Sequence, residues 1–342
     1  MINQVFIPTV PKFGRKDVDG SWEVQRLLVD RGYNPGLMVF THGGIKTVSD
    51  EELIRKQYDN LGHLTQSYGE SPVVTMLSNI PIGEMDWYHN IEQAKEHVVK
   101  GIEFAKGLPL GRRRIVTFHT NTLMPKEEFD AESSRSWKKL FGERISPEFK
   151  KIGEYSKVNN VEVLVETCPA PEFGDIDPKA EKNKDDFYRG VPFAELRNPF
   201  YLTSVGSVVK FSDIEQTGLG VCLDVCHNYI TYQTAREGDL EGFLHEADVS
   251  NLRAGSLMND VRALNPQIDL VHLADVRGRY SRKDGTIFYE GLVLGEGENK
   301  QLAQILFHIN RTKTPFVLET KDKDFSVRDE TKKSIVWILE RE

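Results

Sequence analysis

The sequence predicts an α/β protein of the closed (β/α)8-barrel class, and three observations support this. Eight short apolar runs rich in Val, Ile and Leu alternate with amphipathic segments, which is typical of parallel β/α units. The 342 residues, 39% of them apolar, suffice for a barrel of this kind. A doubly wound open sheet is the competing class, but no early strand precedes a glycine-rich phosphate turn, and Gly43-Gly44 fits no such motif.

The first half of the chain supplies four strand–helix pairs. Residues 4–10 form a strand that Pro11 and Gly14 end, and residues 21–32 form a helix with Ser21 at its N-cap. Residues 36–42 form the second strand, and Ser49 caps the helix that follows. The third and fourth strands cover 73–80 and 113–120, with helices over 91–108 and, after a polar stretch, over 146–160, where Ser146-Pro147 starts the helix.

The second half repeats the pattern with strands that read as buried on both faces. Strands five to eight cover 161–167, 220–227, 268–275 and 314–320. Helices are expected near 207–216, within 241–264, over 299–311 and over 327–341, the last one docking through Ile335, Ile338 and Leu339.

Five successive strands carry a histidine or an acid at or near their carboxyl end. These residues are His119, Glu166, Asp224, His272 and Glu319, and they are separated by 47, 58, 48 and 47 residues. Each step equals one β/α unit with its loops, and in a barrel all these ends surround one mouth. Removing carboxylates from water costs several kcal/mol unless a cation or strong donors replace the water. We therefore predict a functional site at this mouth.

Three long connections fall at the same mouth, after strands 4, 5 and 7. They cover residues 120–145, 169–206 and 276–298, and connections of this length are typically lids or binding loops. Aromatic pairs beside charges, such as Phe187-Tyr188-Arg189 and Phe288-Tyr289-Glu290, either pack on the rim or close over a ligand. We predict one TIM-barrel domain over residues 1–342, with a lid-like insertion at about 169–206.

Net charge, cysteine content and the length of apolar runs indicate which classes of partner the protein can have. The net charge of −8 and the pI near 5.7 oppose binding to nucleic acid. Three cysteines, at positions 168, 222 and 226, predict buried free thiols rather than a disulfide scaffold. We expect no targeting signal, because the first residues show neither a basic region nor a long apolar core, and no apolar run approaches the ~20 residues that span a bilayer. We expect a cytoplasmic protein without a membrane partner. The sequence is compatible with a homo-oligomer.

The residues at the mouth predict a divalent metal ion. Each residue alone is more simply explained as a satisfied core side chain, but three acids buried together need a cation. Carboxylates with imidazole suit Mn, Co, Mg or Zn, and the absence of thiolate ligands disfavours a structural zinc site. We predict one such ion.

Five segments resemble the xylose isomerase-like TIM-barrel superfamily. They are Leu164-Val165-Glu166-Thr167, Val221-Cys222-Leu223-Asp224-Val225-Cys226-His227, Leu270-Val271-His272-Leu273-Ala274-Asp275, Leu294-Gly295-Glu296-Gly297-Glu298 and Phe316-Val317-Leu318-Glu319-Thr320. That superfamily contains sugar and sugar-phosphate isomerases and epimerases, and also apurinic DNA endonucleases of the endonuclease IV type. The resemblance is strong over strands four to eight. In the first hundred residues only the general order of strands and helices is similar.

The resemblance to the isomerases and epimerases implies a ligand set and a mechanism. It makes Glu166, Asp224, His272 and Glu319 the metal ligands, and it makes Glu166 and Glu319 the catalytic acid–base pair. The metal would polarise a carbonyl and an adjacent hydroxyl of a sugar, sugar phosphate or related polyol. The glutamates would then move a proton through an enediolate.

Four further residues are predicted to contact the substrate. His227 is similar to a family residue that does so, and His119 lies at the same mouth. Arg277 and Arg279 suit a hydroxyl, carboxylate or phosphate, although a surface position is equally compatible with the sequence.

The alternative reading as an endonuclease acting on abasic DNA requires three zinc ions. His119, His227 and Asp284 would then be additional metal ligands, and residues 281–284 resemble the stretch before an Asp-x-His pair. Thr286 stands where the histidine of that pair is expected, and Asn79 stands where strand three would carry another. A barrel that binds sugar without turning it over is the third alternative.

Overall fold

The computed structural model describes most of the barrel and part of its mouth. The described residues are 3–41, 45–68, 73–77, 86–109, 113–120, 124–132, 137–169, 187–188, 191–192, 196–197, 214–237, 252–263, 267–279 and 289–341.

Eight parallel strands close into a barrel, as predicted. They are β1 (Gln4–Thr9), β2 (Asn34–Phe40), β3 (Val73–Leu77), β4 (Arg114–Phe118), β5 (Glu162–Glu166), β6 (Gly220–Asp224), β7 (Leu270–Leu273) and β8 (Phe316–Leu318). Each strand pairs with its neighbours in chain order, and β8 closes the ring by pairing with β1 through Val5 and Phe316. The fold class is therefore confirmed.

Helices follow the strands. The described helices are α1 (Arg15–Val29), α2 (Lys46–Ser49), α3 (Glu51–Tyr68), α4 (Ile91–Gly107), α5 (Lys126–Glu132), α6 (Trp137–Arg144), α7 (Ser146–Val158), α8 (Ile214–Thr217), α9 (Val225–Arg236), α10 (Leu257–Ala263), α11 (Leu302–Thr312) and α12 (Asp329–Leu339). The parts of the predicted helices at 207–213, 241–251 and 264 lie outside the described residues.

Two predicted helix caps are wrong. Helix α1 begins at Arg15, and Ser21 lies inside it, where its hydroxyl donates to the carbonyls of Asp17 and Pro8 at 2.9 Å each. Asp50, not Ser49, caps α3, because its carboxylate accepts from the backbone N–H of Glu52 and Leu53 at 3.1 Å each.

The sixth strand ends earlier than predicted. It stops at Asp224, and Val225 to His227 already form the first turn of α9. The cause is an N-cap, since the Asp224 carboxylate accepts from the backbone N–H of His227 at 2.7 Å. The Asp-x-x-His spacing in the sequence is thus the spacing between a cap and the third residue of a helix.

The barrel interior is filled by one apolar layer. It contains Phe6, Met38, Ile115, Leu164, Cys222, Leu270 and Val317, all buried, with Phe40 packed against them. A larger apolar cluster lies between the strands and the surrounding helices. All three cysteines are buried thiols that form no disulfide bond with one another, as expected.

The connections at the mouth form short antiparallel pairs. Residues Met124–Pro125 pair with Leu196–Arg197, and Asp275–Arg277 pair with Tyr289–Leu292 in what we call the rim hairpin. Apart from residue 169 and three two-residue strands, the predicted lid-like insertion lies outside the described residues. No described helix has the length and hydropathy needed to cross a membrane.

Candidate metal centre

The candidate site is the next layer of side chains above the apolar layer that fills the barrel interior. We call that apolar layer the plug. Successive side chains of a strand point to opposite faces, so residues two apart share a face. Glu166, Asp224, His272 and Glu319 each stand two residues after a plug residue, namely Leu164, Cys222, Leu270 and Val317. Strand pairing therefore places all four above the plug, and pairing partners such as Asp224 and His272 lie directly side by side.

The four side chains converge on one point. One oxygen or nitrogen atom from each lies within 4.8 Å of those of the other three. The Nδ1 atom of His272 lies 3.0 Å from Glu166 Oε1, 3.3 Å from Glu319 Oε2 and 3.8 Å from Asp224 Oδ2. Nδ1 is therefore the histidine atom that faces the three carboxylates.

This arrangement fits a divalent cation. Donors at about 2.0–2.6 Å from a common ion lie at most about 5 Å apart, which matches the observed cluster. The buried Oε2 of Glu166 makes no hydrogen bond to the described residues. A buried carboxylate oxygen without a donor is costly, and a cation would satisfy it.

The negative charges of the three carboxylates also favour binding of a cation. Burial raises the pKa of Glu166, but His272 and His119 outweigh it and hold that pKa well below the ordinary value. Burial, together with neighbouring carboxylates, raises the pKa of Asp224 to about 7. Burial lowers the pKa of His272, but Cys222 and Glu166 raise it well above the ordinary value. Protons thus balance the acids where no ion is bound, and a metal would replace them.

A second group of possible ligands shares Glu166. His119, Glu166 and His227 also offer atoms within 4.8 Å of one another. His119 Nε2 lies 3.2 Å from Glu166 Oε1, and His227 Nδ1 lies 3.8 Å from the same oxygen. The His227 Nδ1 atom is also 2.8 Å from the carbonyl oxygen of Thr167, so a hydrogen bond there fixes the ring.

Three of the four residues, Glu166, Asp224 and Glu319, line a cleft that opens to solvent. Besides predicted site residues, the described lining includes Phe40, Cys226, Ala274, Glu290, Gly291 and Lys321. Sequence reasoning missed Glu290 and Lys321 as site residues. Glu290 was visible only as a charge beside an aromatic pair, and Lys321 follows Glu319 by two residues, at the spacing that returns to the same face.

The comparisons with known proteins agree with this geometry. The sequence profile of the family described as "Xylose isomerase-like TIM barrel" matches residues 27–341, which is most of the chain. The chain belongs to the xylose isomerase-like TIM-barrel family. No curated protein matches the sequence significantly.

Solved structures with the same fold cover nearly the whole chain. A 3-keto-D-glucoside 4-epimerase from E. coli is 9% identical with a TM-score of 0.54, covering 99% of this chain and 100% of its own. A D-allulose 3-epimerase from Methylomonas sp. is 11% identical with a TM-score of 0.53 and full coverage of both chains. An L-ribulose 3-epimerase is 13% identical with a TM-score of 0.52, covering 97% of this chain and 86% of its own. At these identities the likeness shows the shared fold alone.

The two arginines predicted to bind substrate lie away from the described part of the cleft of this xylose isomerase-like barrel. Arg277 is exposed and donates to the carbonyl oxygen of Glu296 at 2.9 Å. Arg279 pairs with Glu237 at 3.3 Å, both side chains being well exposed. Asp284, predicted as an additional metal ligand, and Asn79 lie outside the described residues.

Proposed function

We propose that the protein is a divalent-metal-dependent isomerase or epimerase that acts on a sugar, sugar phosphate or related polyol through an enediolate. The observation that carries the proposal is the convergence of Glu166, Asp224, His272 and Glu319 around the unpartnered Oε2 of Glu166. Family membership and the printed activities of the epimerases with the same fold support it.

The four side chains would hold one Mn, Co, Mg or Zn ion, which when bound polarises a carbonyl and an adjacent hydroxyl. The chain contributes the proton transfers. Glu166 and Glu319 offer carboxylate oxygens to the same space, and Glu319 is 23% exposed toward the cleft, which suits contact with a substrate carbon. One glutamate would take the proton beside the carbonyl, and the other would return a proton to the neighbouring carbon or to the opposite face.

The remaining polar residues of the cleft would orient the substrate. His227 is fixed by the hydrogen bond between its Nδ1 and the Thr167 carbonyl oxygen, so its ring lines the cleft in a defined orientation. His119 packs its ring edge-on against that of His227, with the centroids 5.3 Å apart. Such fixed side chains lower the cost of ordering a polyol.

The test is proton exchange at carbon. Mn- or Co-loaded protein is incubated with ketoses in D2O, and interconversion and deuterium incorporation are followed. Wild type should do both, and Glu166→Gln should lose at least ~10³-fold because both a base and a ligand are removed. Glu162→Gln is the matched control, since Glu162 is exposed at the opposite end of the same strand and pairs with Arg113. Equal activity of the two variants, or no exchange by the metal-loaded wild type, would overturn the proposal.

A second candidate function is phosphodiester cleavage at abasic sites in DNA. The group of His119, Glu166 and His227 favours it, because a second ion beside the first would suit a phosphate. The net charge of −8 opposes it, since affinity for DNA comes largely from Lys and Arg at phosphates. Cleavage of an abasic duplex by protein holding about three zinc ions would establish this function instead.

A further inference from the structure

The wall of the cleft beside the metal cluster carries a carboxylate and an ammonium that the proposed mechanism does not use. Glu290 comes from the rim hairpin and Lys321 from the segment after β8, and both line the cleft. The Glu290 side chain is 21% exposed and that of Lys321 is 50% exposed. Both are therefore open to a ligand in the cleft.

The backbone holds these two side chains together. The N–H of Lys321 donates to the carbonyl of Gly291 at 2.7 Å. Gly291 has φ +72°, and a Cβ atom there would lie 2.5 Å from Lys321 Cγ, so only glycine permits this approach. The rim hairpin and the β8 segment thus form one rigid wall.

The Glu290 carboxylate lies between Lys321 and His227. Its Oε1 lies 3.0 Å from Lys321 Nζ, and its Oε2 lies 3.3 Å from His227 Nε2. An ionised carboxylate is an acceptor only, and an ammonium is a donor only.

We infer that Glu290 and Lys321 form a clamp for two adjacent hydroxyl groups of the substrate, and this rests on the proposed function. Glu290 accepts a hydrogen bond from one hydroxyl, and Lys321 donates a hydrogen bond to the oxygen of the next. An acceptor and a donor held 3.0 Å apart match neighbouring hydroxyls on a sugar chain. A site built in this way discriminates against analogues that lack a hydroxyl, because the hydrogen bond to that hydroxyl is then lost.

The same charges favour a hydroxyl over a phosphate at this clamp. Lys321 is the one Lys or Arg among the described residues that line the cleft, and Glu290 already neutralises it. A phosphate bound to Lys321 would lie beside that carboxylate, and like charges at this distance repel. A hydroxyl brings no such repulsion.

The experiment measures binding and turnover separately. D-tagatose, D-allulose, D-fructose and L-ribulose, with D-fructose 6-phosphate as the phosphorylated partner, are titrated calorimetrically into Mn-loaded wild type, Glu290→Gln and Lys321→Met. KM and kcat are measured for each sugar that is converted. Glu296→Gln and Lys323→Met are controls, because these exposed residues follow the rim hairpin and Lys321 closely in the chain and do not line the described cleft. Metal content is determined for every variant.

We expect Glu290→Gln to weaken binding of the best sugar and raise its KM at least ~10-fold, with little change in kcat and one metal ion retained. A deoxy analogue lacking the hydroxyl that Glu290 contacts should bind wild type and Glu290→Gln equally. D-fructose 6-phosphate should bind no better than D-fructose. Unchanged sugar binding in both variants, or tighter phosphate binding that Lys321→Met abolishes, overturns the clamp while ketose conversion stands. Sugar binding that depends on Glu290, without conversion of any sugar, supports the clamp and overturns the proposed isomerase function. If metal-loaded wild type binds no sugar, both the clamp and the proposed function are overturned.

Discussion

At the scale of single residues, Asp224 shows how one side chain serves both fold and site. Its Oδ1 caps α9 by accepting from the His227 N–H, and its Oδ2 faces His272 at 3.8 Å. Its own N–H donates to the Thr167 hydroxyl at 3.0 Å. The cap therefore fixes the direction of the carboxylate that we propose as a metal ligand.

Sequence reasoning found Asp224, Glu166, His272 and Glu319 because each stands at the end of a strand whose apolar pattern is clear. The structure brings these four together, and their role as ligands stays a prediction. Glu290 could not be found in this way, because its position depends on the pairing of the rim hairpin, which the sequence does not reveal.

Asp260 gives a residue-scale prediction about pH. Its carboxylate accepts from Tyr232 Oη at 2.5 Å and from Asn228 Nδ2 at 3.1 Å, and burial raises its pKa to about 6. The folded protein thus binds a proton more readily than the unfolded chain, so this group makes stability fall as pH rises from about 4 to about 6. Asp260→Asn should flatten the pH dependence of Tm over this range and raise Tm at pH 7. An unchanged slope would show that burial of this charge costs little.

At the scale of elements, the loop that follows the rim hairpin is organised by one buried acid. Asp275 accepts from the backbone N–H of Val276 and Gly297 at 2.8 Å each and of Gly295 at 3.0 Å. The Leu294–Glu298 motif therefore fixes this loop against the rim hairpin, and the hairpin in turn positions Glu290. In the sequence this motif is one of the five segments that resemble the family, but nothing there indicates that it positions the hairpin.

Gly297→Ala tests this element. A Cβ atom at Gly297 would lie 2.4 Å from both Asp275 Oδ1 and the Val276 carbonyl oxygen, so the loop must move. We expect a loss of about 2 kcal/mol in the free energy of unfolding, measured by urea titration. Gly62→Ala in α3 is the control, because a Cβ there meets nothing within 4 Å and alanine favours a helix. A stability of Gly297→Ala equal to that of the control would contradict the tight fit.

At the scale of the whole molecule, a buried ion pair in the connection between β8 and α12 is hydrogen-bonded to α1. Arg328 is fully buried, and its guanidinium lies 3.3 Å from Asp322 Oδ2 and 2.6 Å from the hydroxyl of Ser21 in α1. The first and last β/α units are thus held together by side chains as well as by the β-ladder. The alternation of strands and helices predicted the closed barrel, but this contact spans 307 residues and carries no local signal.

Arg328→Met should destabilise the barrel by about 3–5 kcal/mol, because Asp322 is left as a buried charge without its partner. Urea unfolding measures the loss. Lys333→Met, at an exposed position of the same helix α12, should change stability by no more than about 0.5 kcal/mol. A similar small change in Arg328→Met would mean that the ion pair does not contribute to closure.

The most direct test of the central claim is the metal content per chain of protein purified without chelator, beside Asp224→Ala. We predict one Mn, Co, Mg or Zn ion per chain in wild type and none in the variant, with both proteins folded by circular dichroism. About three zinc ions would instead favour the nuclease. No metal in either protein, even after Mn is added, would contradict the account and leave a barrel that binds its ligand without a metal ion.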